Sequence, residues 1–305
     1  MSLTVFTPVS IANGRIALRH RVIMASMTRN RGVPLAKGTA EKPNRIWLPD
    51  ASGMPGVPGM FHPSQIDGWK HVVRGFYGKG GFIYAQLASA TPWDDEDKFP
   101  FRDPVTKEKI SYMDHPPRVM SLGDMNRTIA DFVTAARTAI EVGFDGVEIN
   151  SGNGNLLDQF LHSNNNTRTD AYGGSPKKRA RFPLDLLSAV ANAIGPSNVD
   201  IRLEPTGIYN HTRGTERDTP AFTCGGWDSG YFDPALERGW DAVAFAKWFV
   251  SNPDSPARLM KGALLHAYDR SRFYASWDGV RETGYVDYLT FEDEAVVERG
   301  KVTEK

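Results

Sequence analysis

Short apolar runs alternate with amphipathic helical segments along this chain, and few folds accommodate that rhythm. Residues 21–25, 81–87, 144–150, 199–203 and 241–246 form the runs. Each is shorter than an ordinary helix and bounded by turn residues, so each reads as a buried strand. Between the third and second runs lies the clearest helix, residues 126–142. Ile129, Phe132, Ala136, Ala139 and Ile140 share one face, while Arg127, Asp131 and Arg137 point elsewhere. Asn126 is the expected N-cap, and Gly143 stands where a C-terminal glycine belongs. A second helix, 182–194, ends at Gly195-Pro196. Strands separated by helices must cross over and run parallel, which gives an α/β fold built from βα units.

Composition narrows the functional classes. The 305 residues carry 36 Lys and Arg against 36 Asp and Glu, so no basic field for nucleic acid or an anionic membrane is expected. The single cysteine, Cys224, cannot form an internal disulfide, which suits a reducing compartment. The first residues lack the pattern of a signal peptide, and no apolar run approaches the roughly 18 residues of a membrane span. The expectation is a cytoplasmic protein with neither nucleic-acid nor membrane partners. The seven histidines show no zinc-ligand spacing, so no metal is expected.

Three regions interrupt the rhythm. Residues 33–58 are rich in Pro and Gly, and residues 207–219 are mostly polar; each is too short for a βα unit. Residues 92–117 read as a long polar loop, with the solvated acidic run Asp94-Asp95-Glu96-Asp97.

The candidates for chemistry are polar residues at the C-terminal ends of the apolar runs, where a parallel barrel builds its site. In chain order these are Ser26 and Thr28, then Gln86, then Asn150 and Asn153, then Arg202, and last Ala246 with Lys247. One such residue signifies little, because strand ends often carry structural polar groups. A series of them in chain order is harder to set aside.

The chain resembles the old yellow enzymes, FMN-dependent NAD(P)H ene-reductases on a TIM (β/α)8 barrel. Gly143-Phe-Asp-Gly-Val-Glu-Ile-Asn150 carries the resemblance, with Gly154 and Leu156-Leu-Asp-Gln-Phe-Leu161. It continues through Arg168-Thr-Asp170, Tyr172-Gly-Gly-Ser175 and Arg179-Ala-Arg-Phe182. The resemblance implies one barrel domain over 1–305, holding FMN, reduced by NADH or NADPH, and acting on a small molecule with an activated alkene. It implies that Gln86 meets the flavin's pyrimidine edge, that Arg202 sits near N1, and that Thr28 tunes the ring near O4. Ser26, Gly225, Gly226, Ala246 and Lys247 take the remaining cofactor positions. Asn150 and Asn153 occupy the paired-donor positions that bind a substrate carbonyl and stabilise enolate-like charge.

The chain also departs from the family pattern. Asn155 replaces a proton-donating tyrosine, and an amide is no acid. Ala88-Ser89 replaces Trp-His, which widens the substrate side. Ala246-Lys247 replaces Gly-Arg, so the phosphate meets a point charge in place of a bidentate fork. Regions 33–58 and 207–219 look deleted, which implies either an irregular barrel or missing exons. Three readings stay open: an ene-reductase with a specialised substrate, as in secondary metabolism; a flavin-free isomerase or cyclase using the same pocket; and an inactive family remnant.

Overall fold

The computed structural model describes residues 4–27, 59–89, 101–102, 109–110, 118–204, 243–269, 272, 284 and 286–296. The chain divides into two compact units, Met1–Arg31 with Phe222–Lys305, and Gly32–Ala221. In chain order the strands are β1 (Val9–Ile11), β2 (Ile16–Leu18), β3 (Val22–Met24), β4 (Tyr84–Leu87), β5 (Phe101–Arg102), β6 (Lys109–Ile110), β7 (Gly146–Ser151), β8 (Val199–Leu203) and β9 (Val243–Phe245). The helices are α1 (Pro63–Tyr77), α2 (Leu122–Val142), α3 (Leu156–Leu161), α4 (Pro176–Arg179), α5 (Arg181–Ile194), α6 (Lys247–Ser251) and α7 (Ser255–Lys261). All five apolar runs contain strands, trimmed by up to three residues at their starts.

In the unit Gly32–Ala221, three parallel strands lie in the order β4-β7-β8. Gln86 stands opposite Glu148, and Asn150 opposite Arg202. Side chains alternate between the faces of a strand. One face, carrying Ala85, Leu87, Val147 and Ile149, belongs to a core with Phe132, Ala136 and Ala139 of α2 and Phe182, Leu186 and Val190 of α5. Each of the larger of these side chains contributes about 2 kcal/mol by leaving water. The other face carries Gln86, Glu148, Asn150, Asp200 and Arg202, and the candidate site is built there.

Helix α2 begins earlier than its apolar stripe suggests, and its N-cap is Ser121, not Asn126. Ser121 Oγ accepts the Asp124 N–H at 3.1 Å, and the Asp124 carboxylate accepts the Ser121 N–H at 2.8 Å. This reciprocal box recruits a further turn, which leaves Asn126 exposed inside the helix. The far end is as expected: Gly143 adopts φ 107° and its N–H meets the carbonyls of Ala139 and Ile140. Gly146 is required for a different reason. A Cβ there would lie 2.6 Å from the Asn198 carbonyl and press on the Tyr84 ring. Helix α1 was not anticipated. Its own capping box pairs His62 with Ser64 and Gln65. The segment 92–117 is not all loop, because β5 and β6 pair there as a short antiparallel ribbon.

In the unit Met1–Arg31 with Phe222–Lys305, β1 and β2 form an antiparallel hairpin. Its turn holds Ala12, Asn13 and Gly14 at positive φ. Strand β3 runs parallel to β9, with Val22 opposite Val243. Val5, Val22 and Phe245 make a small core. Arg258 of α7 is 1% exposed, and it bonds Asp254 at 2.8 Å, Glu294 at 2.6 Å and the Leu289 carbonyl at 3.1 Å. It thereby ties α7 to the segment 286–296. Among the described residues no helix is long and apolar enough to cross a membrane.

Candidate active site

The polar face of β4, β7 and β8 holds a continuous array. Glu148 is its hub. One carboxylate oxygen accepts from Gln86 Nε2, and the other accepts from Arg202 Nη2 at 3.0 Å. The Arg202 side chain is 9% exposed and that of Glu148 18%, so the pair works in a low dielectric. Asn150 Nδ2 donates to Gln86 Oε1 at 3.3 Å, and Asn150 Oδ1 accepts the Gly152 N–H at 3.0 Å. Both ends of the Asn150 amide are therefore engaged, which settles its orientation. Gln86, Asn150 and Arg202, three residues expected from the sequence, are brought together here.

Beyond β7 the chain turns sharply. Asn153 sits at φ 57° and Gly154 at φ 69°, the left-handed geometry that Asn and Gly tolerate. Glu204, one residue past β8, clamps this turn: its Oε2 accepts the Asn153 backbone N–H at 2.8 Å and Asn153 Nδ2 at 2.6 Å. Asp158 of α3 accepts the Gly154 N–H at 2.8 Å through one oxygen and lies 3.1 Å from His162 Nε2 through the other. Asn155 stands at the N-cap position of α3 without capping it through its side chain, and donates from Nδ2 to the Gly152 carbonyl at 2.8 Å. Its role in the described turn is to close it.

Glu148, Glu204 and Asp158 were not singled out from the sequence. The period of two was the available signal. Glu148 lies two residues before Asn150, and Glu204 two after Arg202, so each shares a face with a candidate residue.

Two carboxyls on this face are hard to ionise. Burial pushes Glu204 up to about 7, aided by the negative charge of Asp158 and opposed by hydrogen bonding from Asn153 and the charge of Arg202. Burial, then the neighbouring Glu148, raises Asp200 to about 6. Among the described residues no group of three His, Cys, Asp or Glu gathers to hold a metal ion.

The other expected positions fall in the unit Met1–Arg31 with Phe222–Lys305 or outside the described residues. Ser26 is exposed just beyond β3, and Ala246 and Lys247 follow β9, at the same ends of these paired parallel strands. Lys247 Nζ lies 5.1 Å from the centroid of the Tyr268 ring. Thr28, Gly225 and Gly226 lie outside the described residues, as do Cys224 and the regions 33–58 and 207–219.

Comparison with known proteins supplies the family. Residues 46–224 match the profile of the NADH:flavin oxidoreductase / NADH oxidase family. Flavin oxidoreductase hxnT of Emericella nidulans is 34% identical, with 93% of this chain and 96% of the relative covered. That alignment runs over 385 positions against the 305 residues here, so at least 80 of its positions have no residue of this chain. The 12-oxophytodienoate reductase 2 of Arabidopsis thaliana is 30% identical over 96% of this chain and 97% of its own. A structure of morphinone reductase in complex with tetrahydroNAD superposes with a TM-score of 0.74 at 28% identity, covering 95% of this chain and 98% of that one. The chain belongs to the NADH:flavin oxidoreductase family, the old yellow enzymes. Its fold class is the α/β TIM-type barrel, and it is an FMN-dependent NAD(P)H oxidoreductase.

The donor set on the polar face suits a flavin. An isoalloxazine offers donors and acceptors along its pyrimidine edge and gathers negative charge near N1 on reduction. Gln86 provides an amide that both donates and accepts, and Arg202 a permanent cation, held on strands flanking β7 by one carboxylate.

Proposed function

We propose that this protein reduces the activated C=C bond of an α,β-unsaturated carbonyl compound. The observation that carries this reading is the gathering of Gln86, Asn150 and Arg202 on one sheet face, with the Asn153 turn at its end. Bound FMN supplies a hydride carrier that NAD(P)H reloads. Gln86 and Arg202 hold and polarise the ring edge, and Thr28, Ser26, Gly225, Gly226, Ala246 and Lys247 take the family's remaining cofactor positions. Asn150 and Asn153 direct side-chain N–H groups at the substrate carbonyl and lower the cost of the enolate charge that forms there. Asn155 cannot donate the proton for the α-carbon, since it is an amide engaged with Gly152, so water supplies it. Ala88 and Ser89 are small residues directly after β4, in place of the family's Trp-His, which favours a bulkier, specialised substrate. The lone Cys224 and the need for NAD(P)H support a reaction in the cytoplasm.

The test is an absorbance spectrum of the protein after incubation with FMN and desalting. A retained flavin band that NADPH bleaches and 2-cyclohexenone restores is the expected result. A folded, colourless protein would refute the reading. The engagement of Asn155 favours one alternative, carbonyl polarisation without hydride transfer. Turnover of an enone to an isomer with no NADPH consumed would establish that instead.

A further inference from the structure

Glu204 is a buried carboxylate at the end of β8 that the proposed chemistry does not use. It is 5% exposed, and one of its oxygens receives two hydrogen bonds from a single residue. A backbone N–H pins the Asn153 main chain in its left-handed turn. The side-chain bond then selects which end of the amide faces Glu204. An amide is planar, so anchoring one N–H of Nδ2 fixes the direction of the other and of Oδ1. Gly152 shows how closely the two strand ends approach: a Cβ there would lie 3.1 Å from the Glu204 Cβ.

We propose that Glu204 is a positioning residue that orients the Asn153 amide as a carbonyl donor, and that its ionisation governs how firmly the amide is held. This rests on the substrate role given to Asn153 above. The charged neighbours of Glu204 are Arg202 on its own strand and Asp158 and His162 from α3 and its end; the turn after β7 presents the uncharged Gly152. Asp158 opposes ionisation, while Arg202 and His162 favour it. Burial outweighs both and places the transition near neutral pH, at about 7. The ionised carboxylate is the stronger acceptor, so the clamp is firm above that pH and loosens below it.

Two measurements test this. The first is the Asn153 side-chain amide signal in 15N-asparagine-labelled protein, identified by its loss in Asn153→Ala. It should move with pH in the wild type, with a midpoint near 7, and stay flat in Glu204→Gln. The second is binding of cyclohexanone to the FMN-loaded protein by calorimetry. Wild-type affinity should fall about fivefold from pH 8 to pH 6. Glu204→Gln, which keeps an acceptor oxygen, should bind equally at both values. Glu204→Ala should bind about tenfold more weakly than wild type at pH 8 with FMN retained. Wild-type affinity in a folded Glu204→Ala overturns the proposal. If that variant does not fold, a Glu204→Gln profile with the wild-type pH step overturns it equally. Undiminished cyclohexanone binding in Asn153→Ala would instead remove the role given to Asn153, a distinguishable failure.

Discussion

Replacing Asp200 with Asn should make the protein more stable at neutral pH. Asp200 sits on β8 with Glu148 as its register partner, half-buried, its Oδ1 accepting the Ile201 N–H at 2.8 Å. Its folded pKa is raised from 3.8 to about 6. A carboxyl raised on folding stabilises fully below its unfolded pKa, and that contribution is lost as pH rises through the folded one. The whole swing is worth about 3 kcal/mol at about 1.4 kcal/mol per pH unit, and about 2 kcal/mol of it falls between pH 4.5 and 7.5. Solvent screening of a half-buried group trims the latter to about 1–2 kcal/mol. Asn keeps an acceptor for Ile201 and has no charge to desolvate. Urea unfolding at pH 4.5 and 7.5 reads the effect. With a slope of about 3 kcal/mol per molar for a chain this size, the Asp200→Asn midpoint should lie above wild type at both values, and the gap should widen by about 0.5 M from pH 4.5 to pH 7.5. Parallel midpoints at the two pH values, or a less stable variant at pH 7.5, would refute the reasoning. Glu204 titrates in an overlapping window and remains in both proteins, so the comparison isolates Asp200.

Two further perturbations address the hub and the strand start. Glu148→Ala removes the carboxylate shared by Gln86 and Arg202; it should cost about 3 kcal/mol in urea unfolding and lower FMN retention on desalting, whereas full retention with wild-type stability would show that the array is dispensable. Gly146→Ala forces a methyl against the Asn198 carbonyl and the Tyr84 ring; it should cost about 1–3 kcal/mol, and an unchanged melting temperature would show that β7 can shift to accept it.

Local signals in the chain were read reliably where one residue type has one physical use. Gly143 ends α2 because only a residue comfortable at positive φ closes a helix that way, and Gly195 at φ 89° closes α5 likewise. The strand-end positions of Gln86, Asn150 and Arg202 followed from short apolar runs. Other local signals were present and unread. His62-Pro63 opened α1, Ser121 with Asp124 opened α2, and Asn13-Gly14 marked the first hairpin. The Asn126 cap failed because the apolar stripe locates a buried face, while the cap is set by hydrogen bonding one turn earlier.

By itself the chain determined the α/β alternation, the family and three residues of the site, because periodicity and motif are properties of neighbours along the backbone. What joins those residues was decided only by tertiary structure. Glu148 reaches Gln86 across 62 positions and Arg202 across 54, and Glu204 reaches Asn153 across 51. Whether a glutamate is an exposed charge or a buried acceptor near neutral pKa depends on what excludes water from it. For Glu204 that environment is the turn after β7 and the start of α3, which come together only when the strands pair.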